Sequence, residues 1–439
     1  MGICGVGTLP SDCPLAEAMR AQDGLYTLSI KSPDGSNSLR VIGSIVEYLF
    51  APDNHDAVVE RMVDAGVRIV SLTVTEGGYF RNFATGAFDD LAEPIRRGAE
   101  NPIRPQTAFG MVVEALRRRR ERGIPAFTVM LCDNIPGNGE VARAAVVGTA
   151  RLSDPELSDW IDKVVAFPNS MVDRITPRTT DDDRAAVERE TNLIDSCPVV
   201  CEPFEQWVLE DRFPMGRPPF EHAGVQIVAD VEPYELMKLR LLNCTHQAMC
   251  YFGTLAGYQF VHEAVADPAI AELLRRYMDE EATPTLPPVP GIDLDDYKRT
   301  LIERYSNPAI CDQLARLCAE ASDRISNWLI PVVQERLAQG ARVPYSAAVI
   351  ASWARYCEGI DDAGQPLELI DARRVELNTR ANLQHEDPLA FLRDTSMFGD
   401  LADNARFVDD FTDVLESLHR LGGRAALAEV LSRNSKETA

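Results

Sequence analysis

Apolar and polar residues follow two different periods in the first half of the chain. Short apolar runs, which are typical of buried strands, occur at 3–6, 67–74, 127–131 and 164–167. Helical spacing of apolar residues occurs at 58–65 and 139–152. Two further runs, 25–31 and 38–46, flank Asp34-Gly35 and predict a hairpin. This alternation favours an α/β fold with a mostly parallel sheet covered by helices.

The loops after the predicted strands are the expected ligand-binding regions of this half. In parallel sheets, ligands bind beyond the carboxyl ends of the strands. The loops concerned lie at 11–12, 75–78, 133–139 and 168–174.

Beyond about residue 230 the apolar period is helical throughout. The predicted helical stretches are 232–265, 268–280, 294–304, 308–338, 344–358 and 406–432. The Pro-rich stretch from Pro284 to Pro290 predicts a stiff connector between two of them. We therefore expect an α/β domain over 1–229 and a mainly α-helical domain over 230–439, with a ligand site in the cleft between them.

One run at the start of the helical half, Glu235 to His246, places polar groups on an otherwise apolar helix. At about 100° per residue, Glu235, Asn243 and His246 fall within about 140° of Lys238. A helix that is apolar on most sides is buried, and burial lowers the pKa of an ammonium group. Such a lysine can transfer protons. A structural polar network between two helices would explain the same spacing, and the spacing alone does not separate the two.

Composition restricts the function. Of 44 basic residues only five are lysines, so a lysine on an apolar helix suggests that its titration matters. The net charge of −24 argues against nucleic acid or an anionic membrane surface as a partner. The basic run Arg117–Arg120 predicts the solvated end of a helix that begins near Thr107.

The cysteines and the N-terminus indicate the compartment. Ten cysteines include no Cys-x-x-Cys pair, and no histidines flank Cys197 and Cys201 at zinc-like spacing. We expect free thiols in a reducing cytoplasm and no metal site. No basic region followed by a long apolar stretch is visible at the N-terminus, and no run approaches the roughly 18 apolar residues of a membrane span.

Six motifs occur in a recognisable order. They are Gly2-Ile-Cys-Gly-Val-Gly7, Thr75-Glu-Gly-Gly-Tyr79, Cys132-Asp-Asn-Ile-Pro-Gly-Asn-Gly139, Phe167-Pro-Asn-Ser-Met-Val-Asp-Arg-Ile-Thr-Pro177, Val200-Cys-Glu-Pro-Phe204 and the Lys238–His246 run. Together they resemble the polyol-specific long-chain dehydrogenase family, and within it the enzymes that act on mannitol. The resemblance extends from residue 2 to about 400. It implies a Rossmann-type first domain and a metal-independent oxidoreductase that interconverts a polyol and a ketose with NAD.

The resemblance also implies roles for individual residues. Lys238 would be the general base in oxidation and the acid in reduction. Asn134 and Asn243 would donate hydrogen bonds to the developing alkoxide, since no metal holds that charge. His246 would hold a substrate hydroxyl, and Glu235 would relay the proton to water.

Three further residues would bind the polyol hydroxyls by the same resemblance. Asp173 and Arg316 match family positions of this kind. Arg324 stands where members of the family often carry lysine, which keeps the charge but changes the donor geometry.

The expected cofactor residues follow the early strands. Asp12 matches an acidic residue that binds the adenosine ribose and repels a 2′-phosphate, which favours NAD over NADP. Thr75 and Glu76 would face the cofactor from a later loop. Locally, a helix cap in Ser11-Asp12-Cys-Pro14 explains Asp12 equally well.

Members of this family begin with a strand, a Gly-rich loop and a helix before the strand at Ile3, and the printed chain opens on that second strand. Gly5-Val-Gly7 is not the phosphate fingerprint, because no helix follows at the right spacing. We expect an in-frame extension upstream of Met1; a decayed, non-catalytic sugar-binding relative is the alternative.

The resemblance leaves the substrate open within one class. D-mannitol and D-fructose are the expected pair, with arabinitol, sorbitol or a hexuronate such as fructuronate as alternatives. The sequence leaves the oligomeric state open, a monomer included.

Overall fold

The computed structural model describes residues 2–74, 76–80 and 87–435. The chain divides into two compact units, Met1–Glu232 and Pro233–Ala439. Strands and helices share the first unit, whereas the described residues of the second form helices and no β-strand. The expected class, an α/β unit followed by a mainly α-helical unit, is confirmed. No described helix is long and apolar enough to cross a membrane.

Ten strands form in the described part of the first unit. They are β1 (Ile3–Gly7), β2 (Tyr26–Lys31), β3 (Asn37–Ile42), β4 (Ile45–Phe50), β5 (Ile69–Leu72), β6 (Thr128–Leu131), β7 (Ser170–Asp173), β8 (Val199–Cys201), β9 (Gln206–Glu210) and β10 (Gln226–Val228). The α-helices among them are α1 (Cys13–Ala21), α2 (His55–Val63), α3 (Glu93–Glu100), α4 (Ala108–Glu121), α5 (Asn138–Arg151), α6 (Pro155–Val164) and α7 (Asp181–Thr191).

Parallel pairing dominates these strands, as the sequence predicts. Strand β1 pairs with β4, β5 with β6, β2 with β8 and β9 with β10, all in parallel. The antiparallel pairs are β2 with β3 and β7 with β9. The described strands form four separate sheets of two or three strands rather than one sheet.

The predicted hairpin forms, with Tyr26 opposite Ile42 and Lys31 opposite Asn37. Its predicted second strand, 38–46, is nevertheless interrupted. Gly43 separates β3 from β4, and glycine inside a strand pattern commonly marks such a break. After the break, β4 pairs with β1 instead of continuing the hairpin.

The strand predicted at 164–167 is wrong. Val164 is the last residue of α6, and the strand in this region is β7, within the predicted loop 168–174. The segment between them is extended and makes one backbone bond to β6, from the Val129 amide to the Ala166 carbonyl at 3.0 Å. Phe167 is only 3% exposed. The apolar run therefore indicates that the segment is buried, and the end of a helix can be buried as well as a strand.

Helices α2, α4, α5 and α6 pack with β5 and β6 around one hydrophobic core. Its fully buried members include Val59, Leu116, Val129, Val146 and Ile161. This packing fixes the carboxyl end of β6, from which the loop at 133–139 leaves.

Helix α4 begins after Thr107, as predicted, and the Thr107 hydroxyl caps it by accepting from the Gly110 amide at 3.1 Å. The prediction that the whole run Arg117–Arg120 is solvated is wrong, because Arg119 is completely buried. Its guanidinium donates to the backbone carbonyls of Met62, Asp64, Val67 and Pro125. One face of α4 points inward, and a guanidinium is the basic group with enough donors to satisfy four carbonyls there. Burial lowers the pKa of Arg119.

The helices from residue 232 onward form the second unit. They are α8 (Glu232–Met237), α9 (Cys244–Leu255), α10 (Val261–Ala266), α11 (Pro268–Arg276), α12 (Leu294–Tyr305), α13 (Leu314–Cys318), α14 (Ala321–Arg324), α15 (Ile330–Ala338), α16 (Pro344–Tyr356), α17 (Arg374–Leu383), α18 (Thr395–Phe398), α19 (Ala405–Leu421) and α20 (Gly423–Ser435). Three π-helical segments interrupt them, at Lys238–Asn243, Tyr277–Ala282 and Ile325–Leu329.

Helices α9 and α16 form the centre of this unit, with nearly every residue buried. Burial of the helix that follows Lys238 is therefore confirmed. Three predicted long stretches are wrong as continuous helices. The first ends at Leu255, before Gly257 with its φ of +88°. The second breaks at Glu320, whose φ is +51°, and the stretch 406–432 breaks at Gly422, whose φ is +80°. The predicted connector is confirmed, because no helix spans residues 286–293.

Candidate active site

Lys238 begins the π-helical segment Lys238–Asn243, which lies between α8 and α9. Backbone bonds in a π-helix join residues five apart, so Lys238 and Asn243 share a face as residues four apart do in an α-helix. The predicted angle of about 140° between them, which assumes a regular helix, is therefore wrong. The wider turn brings both side chains onto one face, where they are 4% and 5% exposed.

Two side-chain hydroxyls donate hydrogen bonds to backbone carbonyls of this wide turn. The Thr245 hydroxyl donates to the Leu241 carbonyl at 2.6 Å, and the Tyr305 hydroxyl donates to the Leu242 carbonyl at 3.1 Å. Inserted hydroxyls of this kind stabilise a local departure from α-helical geometry.

An ion pair between buried Arg240 and exposed Glu335 also fixes the π segment. Arg240 makes a bidentate pair with Glu335 on α15, at 2.6 and 2.7 Å, and donates to the Thr285 carbonyl at 2.8 Å. The Tyr277 hydroxyl donates to the Arg240 carbonyl at 3.1 Å. Because Tyr277 opens the second π segment, the two irregular turns hold each other in place.

Positive charges surround His246. Burial lowers the pKa of His246 well below its usual range, and the neighbouring cations Arg316, Arg304, Arg324 and Lys238 lower it further. His246 is therefore neutral at physiological pH and can both donate and accept a hydrogen bond. A cationic cluster in a chain of net charge −24 favours developing negative charge at this place.

Two buried polar atoms here have no hydrogen-bond partner among the residues that the structure describes. They are Asn243 Oδ1 and His246 Nε2. Buried polar atoms normally have partners, because an unmet one destabilises the fold by about 1–3 kcal/mol. Rotation of the Asn243 amide would offer a donor at the same position. These two side chains therefore have hydrogen-bonding capacity that a polar ligand can use.

Two of the three arginines near His246, Arg316 and Arg324, are held in different ways. Arg316 makes a bidentate pair with the buried Asp312, at 2.8 and 2.6 Å, and remains 42% exposed. Arg324 donates to the Leu317 carbonyl at 3.0 Å, and its guanidinium lies 5.8 Å from the Trp328 ring. Both contacts leave further N–H donors of each guanidinium available.

Glu235 lies on α8, three residues before Lys238, and is 7% exposed. Residues three apart share a helix face, so its carboxylate belongs to the same side as Lys238. The described part of the second unit thus brings together six of the predicted residues. Four lie between α8 and the first turn of α9, and two arginines interact electrostatically with His246: Glu235, Lys238, Asn243, His246, Arg316 and Arg324.

In the first unit, hydrogen bonds fix the loop that carries Asn134. The Asn138 amide donates to the carbonyls of Asp133 (3.1 Å) and Ser170 (2.6 Å) and accepts from the Ser170 amide (3.0 Å). Ser170 begins β7 and Asp173 ends it, buried at 5% exposure. The loop of Asn134 and the strand of Asp173 are therefore tied together within this unit.

Asp12 lies just beyond the carboxyl end of β1 and is half-buried. Its Oδ2 accepts from the Thr8 and Leu9 amides, at 2.9 Å each. The alternative prediction, a helix cap, holds in part. The Asp12 side chain makes no capping bond to α1, but it caps the preceding 3-10 turn, Pro10–Asp12, by accepting from the Leu9 amide. Gly7 packs close by, and a Cβ there would lie 3.0 Å from the Asp12 Cβ.

The remaining predicted cofactor residues are at the edge of the described structure. Thr75 lies outside the described residues. Glu76 begins a short 3-10 helix, Glu76–Tyr79, and its side chain is not among those described.

Sequence reasoning missed three residues of the cluster. Arg304 and Tyr305 come from the end of α12, and the His246 and Tyr305 rings lie 4.9 Å apart. No local signal distinguishes them from other polar residues of that helix. Asp312 could have been found, because it stands four residues before Arg316, the spacing of a helical ion pair.

Two family models cover nearly the whole chain. The mannitol dehydrogenase Rossmann domain matches residues 1–222, and the mannitol dehydrogenase C-terminal domain matches residues 230–419. The first model covers the α/β unit with Asp12 after β1, and the second covers the helical unit with the buried Lys238. The chain belongs to the mannitol dehydrogenase family.

Individual relatives agree with this membership. The chain is 45% identical to mannitol 2-dehydrogenase of Phaeosphaeria nodorum over 97% of its own length and 75% of that protein. It is similar to the Pseudomonas fluorescens mannitol 2-dehydrogenase ternary complex with NAD and D-mannitol, with 42% identity and a TM-score of 0.93, covering 98% of this chain and 88% of that one. A substrate-free D-sorbitol dehydrogenase matches with 38% identity and a TM-score of 0.85, covering 97% and 88%.

Proposed function

We propose that this chain is an NAD-dependent polyol dehydrogenase that interconverts D-mannitol and D-fructose. The observation that carries the proposal is the buried cluster on α8, the π segment and α9. It combines Lys238 with two partnerless polar atoms, Asn243 Oδ1 and His246 Nε2. The solved relative bound to NAD and D-mannitol, 42% identical to this chain, supports the choice of cofactor and substrate.

Lys238 is the proposed acid–base group. In oxidation, its neutral amine takes the proton from the polyol hydroxyl that becomes the ketone. In reduction, its ammonium returns that proton. The Lys238 side chain is only 4% exposed, and oxidation needs its neutral amine. Glu235, on the same face one turn earlier, passes the proton on to water.

Asparagine donors and nearby cations stabilise the alkoxide that forms as the proton leaves. Asn243 lies under Lys238 in the π turn, and Asn134 is the proposed second donor. Arg304, Arg316 and Arg324 add positive charge around His246. Charge stabilisation of this kind is strongest in a site from which water is excluded, such as this buried face.

The neutral His246 ring is proposed to hold a substrate hydroxyl through Nε2. Asp173, Arg316 and Arg324 are the proposed ligands for the remaining hydroxyls. Arg316 and Arg324 each use only part of their donors on the protein, so both retain N–H groups for hydroxyl oxygens.

Asp12 fits the adenosine side of NAD. Its Oδ2 is used by two backbone amides, which orient the carboxylate and leave the other oxygen to accept from ribose hydroxyls. NAD when bound supplies the two-electron redox chemistry. The fixed negative charge of Asp12 disfavours a 2′-phosphate, so NAD is preferred to NADP. Thr75 and Glu76 are proposed to line the same cofactor.

The test is an absorbance assay of nicotinamide reduction with a panel of polyols. The panel contains D-mannitol, D-sorbitol and arabinitol, with fructose and fructuronate in the reverse direction. The protein is expressed from its own gene with any in-frame upstream codons. Turnover of D-mannitol with the highest kcat/KM supports the proposal, and preference for D-sorbitol would reassign the substrate within the family. Polyol binding by calorimetry without NADH binding or turnover would identify a sugar-binding protein instead.

The ten cysteines support a reducing compartment, and we propose the cytoplasm. All ten lie in the described part of the chain and are free thiols, so the sequence-based prediction of free thiols is confirmed. Fractionation of cells that express the native gene would test the location.

A further inference from the structure

Two of the six histidines in the chain face one buried carboxylate, away from the residues assigned to catalysis. Glu358 follows the end of α16, His385 follows α17, and His419 lies in the last turn of α19. The His419 Nε2 lies 2.6 Å from the Glu358 Oε1, and the His385 Nε2 lies 3.8 Å from the Glu358 Oε2. The two rings are tilted by 34°, with centroids 4.7 Å apart.

The donor atoms of this cluster suit a divalent transition metal. Two imidazole nitrogens and one carboxylate oxygen are a common zinc ligand set, with water as the fourth ligand. The three ligand atoms lie within 4.8 Å of one another. Zinc–ligand distances of about 2.0–2.2 Å require these separations to fall to about 4 Å or less. His385 is 58% exposed and can close that difference by a side-chain rotation.

The surroundings of the cluster fit an ion that enters from solvent. The Glu358 side chain is only 4% exposed, so it forms a fixed base, while His419 at 27% and His385 are open to solvent. Arg355 is the opposing charge, with its Nη1 3.3 Å from Glu358. Asp362 lies 3.9 Å from the same guanidinium and offsets part of that charge.

We propose that Glu358, His385 and His419 form a zinc site that links the ends of α16 and α17 to α19. The site is structural, because its ligands are not among the residues that face Lys238 or His246. The bound ion replaces the direct His419–Glu358 hydrogen bond by three metal–ligand bonds. Binding to the folded state alone then stabilises the second unit.

The first experiment is calorimetric titration of the tag-free, chelator-treated protein with ZnCl2. We expect one ion per chain, and His385→Gln and His419→Gln should each weaken binding by at least the roughly 10–100-fold that loss of a supporting metal-site residue causes. His222→Gln, which changes an exposed histidine elsewhere in the chain, is the matched control and should bind zinc as the wild type does. Absence of saturable zinc binding, or full stoichiometry in the His385→Gln/His419→Gln double variant, would overturn the proposal.

A second measurement uses the wild-type protein alone and so does not depend on the folding of variants. With only six histidines, the ring signals can be followed by NMR during zinc addition. Shifts in two histidines, absent from spectra with Mg²⁺ added instead, support the site. No histidine shift, or shifts in histidines other than His385 and His419, would contradict it. Neither readout depends on dehydrogenase activity, so the zinc site and the proposed function are tested separately.

Discussion

Polar side chains are used in opposite ways in two regions of this molecule. At the start of α5 in the first unit, the Asn138 side-chain amide hydrogen-bonds three backbone groups and is used by the fold. In the π segment of the second unit, Asn243 has a buried oxygen with no partner. The same residue type, equally buried, therefore acts as scaffold in one place and as a ligand-binding group in the other.

The difference shows which polar residues to assign to structure and which to chemistry. A satisfied buried amide contributes to stability and has no capacity left for a ligand. An unsatisfied one destabilises the protein until a ligand completes it, so selection for function explains its presence better than selection for stability does. Residue identity and burial alone would have placed Asn138 and Asn243 in one category.

The largest expected effect is the loss of the acid–base group. Lys238→Ala should lower kcat by about 10²–10⁴-fold, because proton transfer then depends on water. The free energy of unfolding should change little in comparison. Lys163→Ala, on the exposed surface of α6, is the matched control and should retain wild-type turnover. Normal turnover in Lys238→Ala would remove this residue from the mechanism.

Alanine substitution of each asparagine in turn tests the comparison directly. Asn138→Ala should lower the free energy of unfolding by about 2–4 kcal/mol, since three buried backbone groups lose their partner. Asn243→Ala should lower turnover while changing stability by less than about 1 kcal/mol, because no protein hydrogen bond of its Oδ1 is lost. Urea titration and steady-state kinetics on both variants provide the measurements. Equal destabilisation by the two substitutions would contradict the distinction between scaffold and ligand-binding amides.

One buried, hydrogen-bonded carboxylate in the second unit should make the free energy of unfolding depend on pH. Glu281 accepts from the Tyr345 and Ser346 amides, at 2.7 and 2.8 Å, at the start of α16. Burial raises its pKa to about 7 from an ordinary value of 4.5. The folded state then holds more protons than the unfolded state between these values. This stabilisation is complete below pH 4.5 and is lost as pH rises toward 7, by up to about 3 kcal/mol.

Comparison with Glu281→Gln isolates this group from the other acids of the chain. The variant cannot ionise at this position, so its stability relative to the wild type should improve as pH rises from about 4.5 to about 7. Thermal unfolding at several pH values gives the difference. A constant difference would show that the hydrogen bonds to Glu281 offset its burial.

The smallest expected effect concerns cofactor choice. Asp12→Ala should weaken NAD binding by about tenfold, the effect of one lost hydrogen bond to a charged group, and should relax discrimination against NADP. Asp12→Asn keeps an acceptor for the Thr8 and Leu9 amides but removes the charge. It should admit NADP while leaving the loop intact. Unchanged discrimination in both variants would assign Asp12 to the loop alone.

The elements that sequence predicted well are those in which local pattern and final packing agree. Strand β6 and helix α5 were predicted within a residue or two because their apolar residues face one continuous core. The 164–167 segment was mispredicted because burial, not pairing, explains its apolar residues. Arg119 was mispredicted because a charged run gives no sign of which member points inward.

The candidate site divides in the same way. The spacing of Lys238, Asn243 and His246 predicted a shared buried face, but the 3.6-residue period could not reveal a π turn. Arg304 and Tyr305 could not be predicted, because they reach His246 from a helix about 60 residues further along the chain. Contacts over such separations depend on the tertiary fold rather than on local sequence.

The π turn at Lys238–Asn243 also determines how this gene tolerates changes in length. A π turn accommodates one residue more than an α turn. Deletion of one residue between Lys238 and Asn243 would convert the wide turn to an α turn and would leave Lys238 and His246 seven residues apart, on nearly the same face. What such a deletion would remove is the widened backbone whose carbonyls accept from the Thr245 and Tyr305 hydroxyls. This turn can therefore lose one residue and keep its polar face, whereas loss of one residue from a regular helix rotates everything after it by about 100°.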